Sequence, residues 1–161
     1  MSQNYDASSR QVLADMIMGC RVDRAAALVI TGTNALFTIT GGRVLLLNFL
    51  GEIMVDIAAT GTTMRISALT TDATAVVTHL TSAVADINAL AAGRMYTLPA
   101  AVASDLILSV GSSGAVSNTQ MPLVLKTGAL NLIAGASPAT GTMRWSAWYI
   151  PLDDGAYMTA A

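Results

Sequence analysis

Residues Asn34–Ile57 read NALFTITGGRVLLLNFLGEIMVDI, two β-rich runs separated by Gly41 and Gly42. A two-residue hairpin loop demands positive φ, which glycine adopts most freely, so the stretch predicts a tight β-hairpin. In that register Ile39 faces Val44, Phe37 faces Leu46 and Ala35 faces Asn48. On the other face Thr40 meets Arg43, Thr38 meets Leu45 and Leu36 meets Leu47. Apolar side chains then occupy both faces of residues 44–50, and such a strand needs cover on both. Gly51 marks a bulge or sharp bend. Beyond it Ile53, Val55 and Ile57 alternate with Glu52, Met54 and Asp56. One face of that second half is expected to be buried, the other solvated or against a partner.

The pattern outside this stretch is of the same kind. Strands are expected over 26–31, 64–69, 94–98, 106–110, 123–126, 129–133 and 141–150, divided by Gly-, Pro- and Asp-containing turns. Thr127-Gly128 is a second two-residue hairpin signal. Residues 73–92 carry Val77, Leu80, Val84, Ile87 and Ala91 at helical spacing ahead of Gly93, yet Ala-Val-Val-Thr-His-Leu-Thr is strand-like. A strand at 75–80 and a short helical turn near Asp86–Leu90 is the better fit. Ser9 heads a possible short helix through Met18, ended by Gly19; an extended arm fits the same residues. The domain reading is an N-terminal arm or short helix over 1–25, a β domain over 26–152 and a C-terminal tail over 153–161. Many short strands with Gly-rich turns predict an all-β fold, a single-domain antiparallel sandwich or jelly-roll-like barrel. Ala59–Arg65 (ATGTTMR) and Ala139–Arg144 (ATGTMR) echo each other, either as equivalent turn-strand units or by coincidence in an Ala/Thr/Gly-rich chain.

Composition narrows the functional classes. Of 161 residues, 53% are hydrophobic and 11% charged, with mean hydropathy +0.58, one lysine (Lys126) and one glutamate (Glu52). Long charged side chains normally cover solvent-facing surface, so their scarcity implies little free surface. A spanning helix needs about 20 predominantly apolar residues, and no window supplies them. A lipid-facing β-barrel carries aromatic girdles, whereas aromatics here are 5%. Burial in a homo-oligomer, a dimer or trimer, is the better account, with no membrane partner. The formal net charge of −2 and the scattered arginines predict no nucleic-acid partner. The start, MSQNYDASSR, shows no secretory signal pattern.

No residue set spells out a chemistry. His79 is the only histidine, and it has no serine in a nucleophile-elbow context. One histidine and one cysteine, Cys20, make no standard zinc site; Cys20 is expected as a buried thiol. Asp153-Asp154-Gly155 is ordinary turn chemistry. No catalytic residue, metal site or cofactor is expected. Glu52 is either a rim carboxylate in solvent or the partner of Arg43, Arg65 or Arg144, within or between subunits. Trp145 and Trp148, three apart on a strand, point to opposite faces, with Tyr149 beside them. One fills the core; the other lies on the outer face and marks an interface, or less simply a glycan or small-molecule platform. Glu52, Arg65, Arg144, Trp145, Trp148 and Tyr149 are therefore the interface candidates.

Two stretches carry a resemblance. ITGGRVLLLNFLGEI (Ile39–Ile53) resembles the strand, GG, strand, L-x-G-E block of small structural proteins of tailed bacteriophages. GTMRWSAWYIPLDDGAYMTAA (Gly141–Ala161) is similar to their ending. The shared motifs are turns and core strands, so they transfer no catalytic residue. The resemblance implies a virion protein assembled in the host cytoplasm in many copies. A capsid decoration or cement subunit bound to the major capsid protein is the first expectation, and a tail-associated component the second. The rivals are a tail-fibre or spike module binding a glycan or host receptor, and an enzyme built around His79.

Overall fold

The structure, a computed structural model, describes residues 19–58, 63–71, 75–82, 85–87, 89–109, 116 and 122–161. The first six strands found there are β1 (Cys20–Leu28), β2 (Gly32–Thr40), β3 (Val44–Val55), β4 (Thr63–Thr70), β5 (Val77–His79) and β6 (Ala85–Asp86). Next come β7 (Met95–Thr97), β8 (Ile107–Leu108), β9 (Leu123–Leu125), β10 (Gly128–Ala134), β11 (Thr142–Pro151) and β12 (Tyr157–Ala160). They form two antiparallel six-stranded sheets packed face to face. One, sheet A, runs β1-β11-β3-β7-β8, with β9 also on β3. Sheet B runs β12-β2-β10-β4-β5, with β6 also on β4. The fold is an all-β sandwich, and these sheets do not close into a barrel.

The expected hairpins are replaced by crossings. β2 pairs with β10 and β12 in sheet B, whereas β3 pairs with β11, β7 and β9 in sheet A. Gly41-Gly42 thus carries the chain from one sheet to the other, and so does Thr127-Gly128 between β9 and β10. The reason lies in burial. Phe37 and Ile39 on β2 and Val44, Leu46 and Phe49 on β3 are each at most 2% exposed. In a hairpin both rows would face the same way and need a third element as cover. Placed on opposed sheets, each row covers the other, and a large aliphatic or aromatic side chain gains about 1.5–3 kcal/mol by such burial. Positive φ at Gly41 (78°) and Gly42 (147°) serves a crossing as well as a turn.

The crossings produce an internal two-fold pattern. β2-β3-β4 visits sheets B, A, B, and β9-β10-β11 visits A, B, A. β3 lies between β9 and β11, and β10 lies between β2 and β4. Each three-strand unit therefore threads its middle strand between the outer strands of the other. The sequence echo falls on equivalent positions: Met64 and Met143 point into the core while Arg65 and Arg144 point out. Its first residues, 59–62, lie outside the described residues.

The centre of the core is aromatic. Phe37 meets Phe49 edge-on across the sheets, centroids 6.1 Å apart, and Phe49 lies 5.1 Å from Trp145. Gly51 stands directly opposite Trp145, and a Cβ there would lie 2.7 Å from the indole Cε3. Gly51 is thus the seat of the indole rather than a bend. The bulges fall elsewhere: the β3–β11 register shifts between Trp148 and Tyr149 and again between Thr142 and Met143. The second shift turns Val55 outward, 49% exposed, where alternation alone placed it inside with Ile53 and Ile57.

Further boundaries differ from the sequence reading. β1 begins at Cys20, before the expected start of the β domain at residue 26, and Cys20 itself is half-buried. The helical turn expected near Asp86–Leu90 is instead a short strand on β4 followed by a turn at Ala89, whose φ is 52°. The strand expected at 75–80 is present as β5. The C-terminal tail is a strand: β12 pairs with Phe37–Thr40, and the Ala161 amide donates to the Leu36 carbonyl. Backbone groups along the β2 edge find partners there, which a loose tail would not supply. The short helix or arm before Gly19 and the GSSGA loop at 111–115 lie outside the described residues.

A polar clasp holds the crossing. The Asp153 carboxylate accepts the Arg43 amide at 2.6 Å and the guanidinium Nε at 2.9 Å, and the Leu152 amide donates to the Arg43 carbonyl. The Arg43 guanidinium and its backbone amide hold the Asp153 carboxyl down at a pKa of about 2. Because that value lies below the ordinary 3.8, the clasp stabilises fully above about pH 4 and loses its contribution as pH falls towards 2. The melting-temperature gap between wild type and Asp153→Asn is therefore expected to shrink across that window. A gap constant from pH 6 to pH 2 would show that the clasp does not titrate as described.

Candidate interaction surface

Sheet A presents one face to sheet B and the other outward. On the inner side β11 places Met143, Trp145, Ala147 and Tyr149, all buried. On the outer side it places Arg144, Ser146, Trp148 and Ile150, and β3 places Leu45, Leu47, Leu50 and Glu52 beside them. The two tryptophans do point to opposite faces. Trp145, at 1% exposed, and Tyr149, at 7%, are interior residues, so of the three aromatic candidates only Trp148 can meet a partner.

The charged candidates separate by sheet. Arg144 and Glu52 are cross-strand neighbours on the outer face, with guanidinium Nη2 to carboxylate Oε2 at 2.5 Å and Nε at 2.7 Å. Glu52 is thus paired within its own chain. Arg43 is committed to Asp153, and Arg65 lies on β4 of the opposite sheet. With side chains 53% and 24% exposed, the Arg144–Glu52 pair is worth about 0.2–1 kcal/mol, enough to orient the two groups but not to hold the fold.

Two residues that the sequence reading left out complete this face. Arg21 on β1 stands opposite Trp148, its guanidinium carbon 5.2 Å from the indole centroid, a cation–π geometry. Its Nε also donates to Asp23 at 2.9 Å, and the Ser146 hydroxyl donates to the same carboxylate at 2.5 Å. The Ser146 hydroxyl, aided by Arg21 against partial desolvation, lowers the Asp23 pKa below its ordinary value. The signal in the sequence is the alternation Arg21-Val22-Asp23, which lies ahead of the strand expected from residue 26.

The outer face is therefore a framed apolar patch. Leu45, Leu47, Leu50, Trp148 and Ile150 are half-buried, flanked by Arg21–Asp23 and by Arg144–Glu52. The expectation that β3 is covered on both faces holds fully for the inner side alone.

Elsewhere, a groove of about 630 Å3 opens between β4–β5 and β9, lined by aliphatic residues such as Leu80, Val102 and Leu123 with Lys126, and no aromatic ring is among the described residues that line it. His79 lies exposed on the edge strand β5, opposite Ser67. Among the described residues no three His, Cys, Asp or Glu side chains gather to hold a metal ion. Among the same residues no helix is long and apolar enough to cross a membrane. Compared with protein-family models, curated proteins and solved structures, the chain matches none.

Proposed function

We propose that this chain is a non-enzymatic structural subunit that self-associates and serves in a phage virion, as a decoration or cement protein of the capsid shell. The observation that carries the reading is the outer face of sheet A. Five large apolar side chains, Leu45, Leu47, Leu50, Trp148 and Ile150, sit side by side there and are only half-buried by their own chain. Contiguous apolar surface framed by polar groups is the mark of a protein contact. Scarcity of charge, 11% of residues, supports the same reading, because few residues are suited to free solvent. The placement in a virion rests on the resemblance of Ile39–Ile53 and Gly141–Ala161 to tailed-phage structural proteins.

A glycan- or receptor-binding module calls for an aromatic ring open in a concave site. Trp148 is half-buried with Arg21 over its ring, and the groove beside β9 is aliphatic. The subunit reading is therefore preferred, and a tail-associated position is its closest variant.

Light scattering on the purified chain across a dilution series tests self-association. A dimer or trimer that persists on dilution is expected; a stable, soluble monomer at every concentration overturns the proposal. Placement is tested by sedimentation with tailed-phage shells lacking the subunit. Recovery with the shells supports decoration, and recovery in the supernatant alone sinks it.

A further inference from the structure

We infer that two copies of this chain join through the free edges of β1, antiparallel and centred on Val22, so that sheet A runs unbroken from one copy into the other. This rests on the self-association proposed above and names the edge that carries it.

Among the described residues β1 is the outermost strand of sheet A and is paired on one side only, with β11. At nine residues it exceeds the usual strand of about five or six, and a long unpaired edge is a template for another strand. Its register on β11 is regular from Cys20 to Arg24 and shifts between Arg24 and Ala27. The shift breaks the straight edge, leaving Cys20–Arg24 as the regular segment, and Val22 is its midpoint.

Charge selects the pairing within that segment. In a two-fold antiparallel pair centred on Val22, Arg21 of each copy stands opposite Asp23 of the other, and Cys20 stands opposite Arg24. Moving the centre one residue either way sets Arg21 against its own copy, or Asp23 against its own copy. Opposite charges stabilise a cross-strand pair and like charges destabilise it, so one register of the three fits. Arg21 and Asp23 are available for it, with side chains 57% and 54% exposed on the outer face. Their bond within one strand leaves further guanidinium donors and carboxylate lone pairs for the second copy. Arg24, on the inner side opposite Trp145, has a buried Nε without a hydrogen-bond partner, so the edge is not a finished surface. The join also lays the two apolar outer faces side by side.

Arg21→Asp and Asp23→Arg, prepared separately and then mixed, test the register. Each variant alone sets like charges opposite at both contacts, and its dimer is expected to weaken by roughly tenfold or more. Equal mixing places opposite charges at both contacts again and is expected to restore the wild-type mass by light scattering. Thermal melts check that each variant is folded. If either does not fold, Val22→Cys in a Cys20→Ser background replaces the pair, and mild oxidation is expected to give a covalent dimer. A wild type that is monomeric throughout defeats the self-association proposal itself. An oligomeric wild type with unaffected single variants, with no recovery on mixing, or with no covalent dimer overturns the β1 pairing while self-association stands. A wild-type trimer also overturns it, since a two-fold joins copies in pairs.

Discussion

Gly51→Val is expected to cost at least about 3 kcal/mol, the upper range for forcing extra volume into a packed core, which is a large share of the 5–15 kcal/mol that holds a typical domain. The backbone at Gly51 is not in the left-handed region, so conformational strain contributes nothing. The cost is steric: the added side chain lands on the Trp145 ring, 1% exposed and wedged against Phe49. The backbone that carries Trp145 is held on both sides, by β1 and by β3, and the ring is enclosed, so little can shift to make room. Denaturant melts of Gly51→Val, Trp145→Leu and the double variant provide the check. Because the smaller side chain vacates the space that valine needs, the double variant is expected to be more stable than the sum of the single losses predicts, by about 1 kcal/mol or more. Strict additivity would mean that the ring and the glycine are not in contact.

Gly41→Ala and Gly155→Ala form a matched pair with different expected losses. Both glycines have left-handed backbone, φ 78° and 76°, and that alone costs an alanine about 1–2 kcal/mol. A Cβ on Gly155 meets nothing within 4 Å, whereas one on Gly41 would lie 2.8 Å from the Gly155 carbonyl carbon and 3.3 Å from the Ala156 amide nitrogen. Backbone atoms cannot rotate aside as a side chain can. Gly41→Ala is therefore expected to lose at least about 2 kcal/mol more than Gly155→Ala, consistent with the penalties of overpacking. Unfolding midpoints in urea measure the difference directly. Equal losses would show that the crossing at Gly41 and the turn at Gly155 are not packed together.

Much of the architecture was legible because local rules governed it. Alternation marked β4 and β11, and Met64 and Met143 are buried while Arg65 and Arg144 face out, as a period of two requires. The opposite facing of Trp145 and Trp148 followed from the same period. The choice among three arginines for Glu52 did not. Arg144 became its partner because β11 happens to lie antiparallel to β3 in a register that sets them opposite, and register is a property of the pair of strands.

What the sequence determined by itself is the class of fold, the positions of the strongly patterned strands β2, β3, β4 and β11 and the scarcity of charged residues, because these depend on side-chain type and spacing along one chain. What only the tertiary structure decided is which sheet each strand joins. Gly41-Gly42 satisfies a hairpin and a crossing equally, since positive φ is required by both. The crossing wins because Phe37 and Ile39 bury most area when they face Val44, Leu46 and Phe49 across the sandwich. That same choice leaves the outer side of β3 half-covered and, among the described residues, the outer edge of β1 unpaired, the two surfaces from which assembly is proposed.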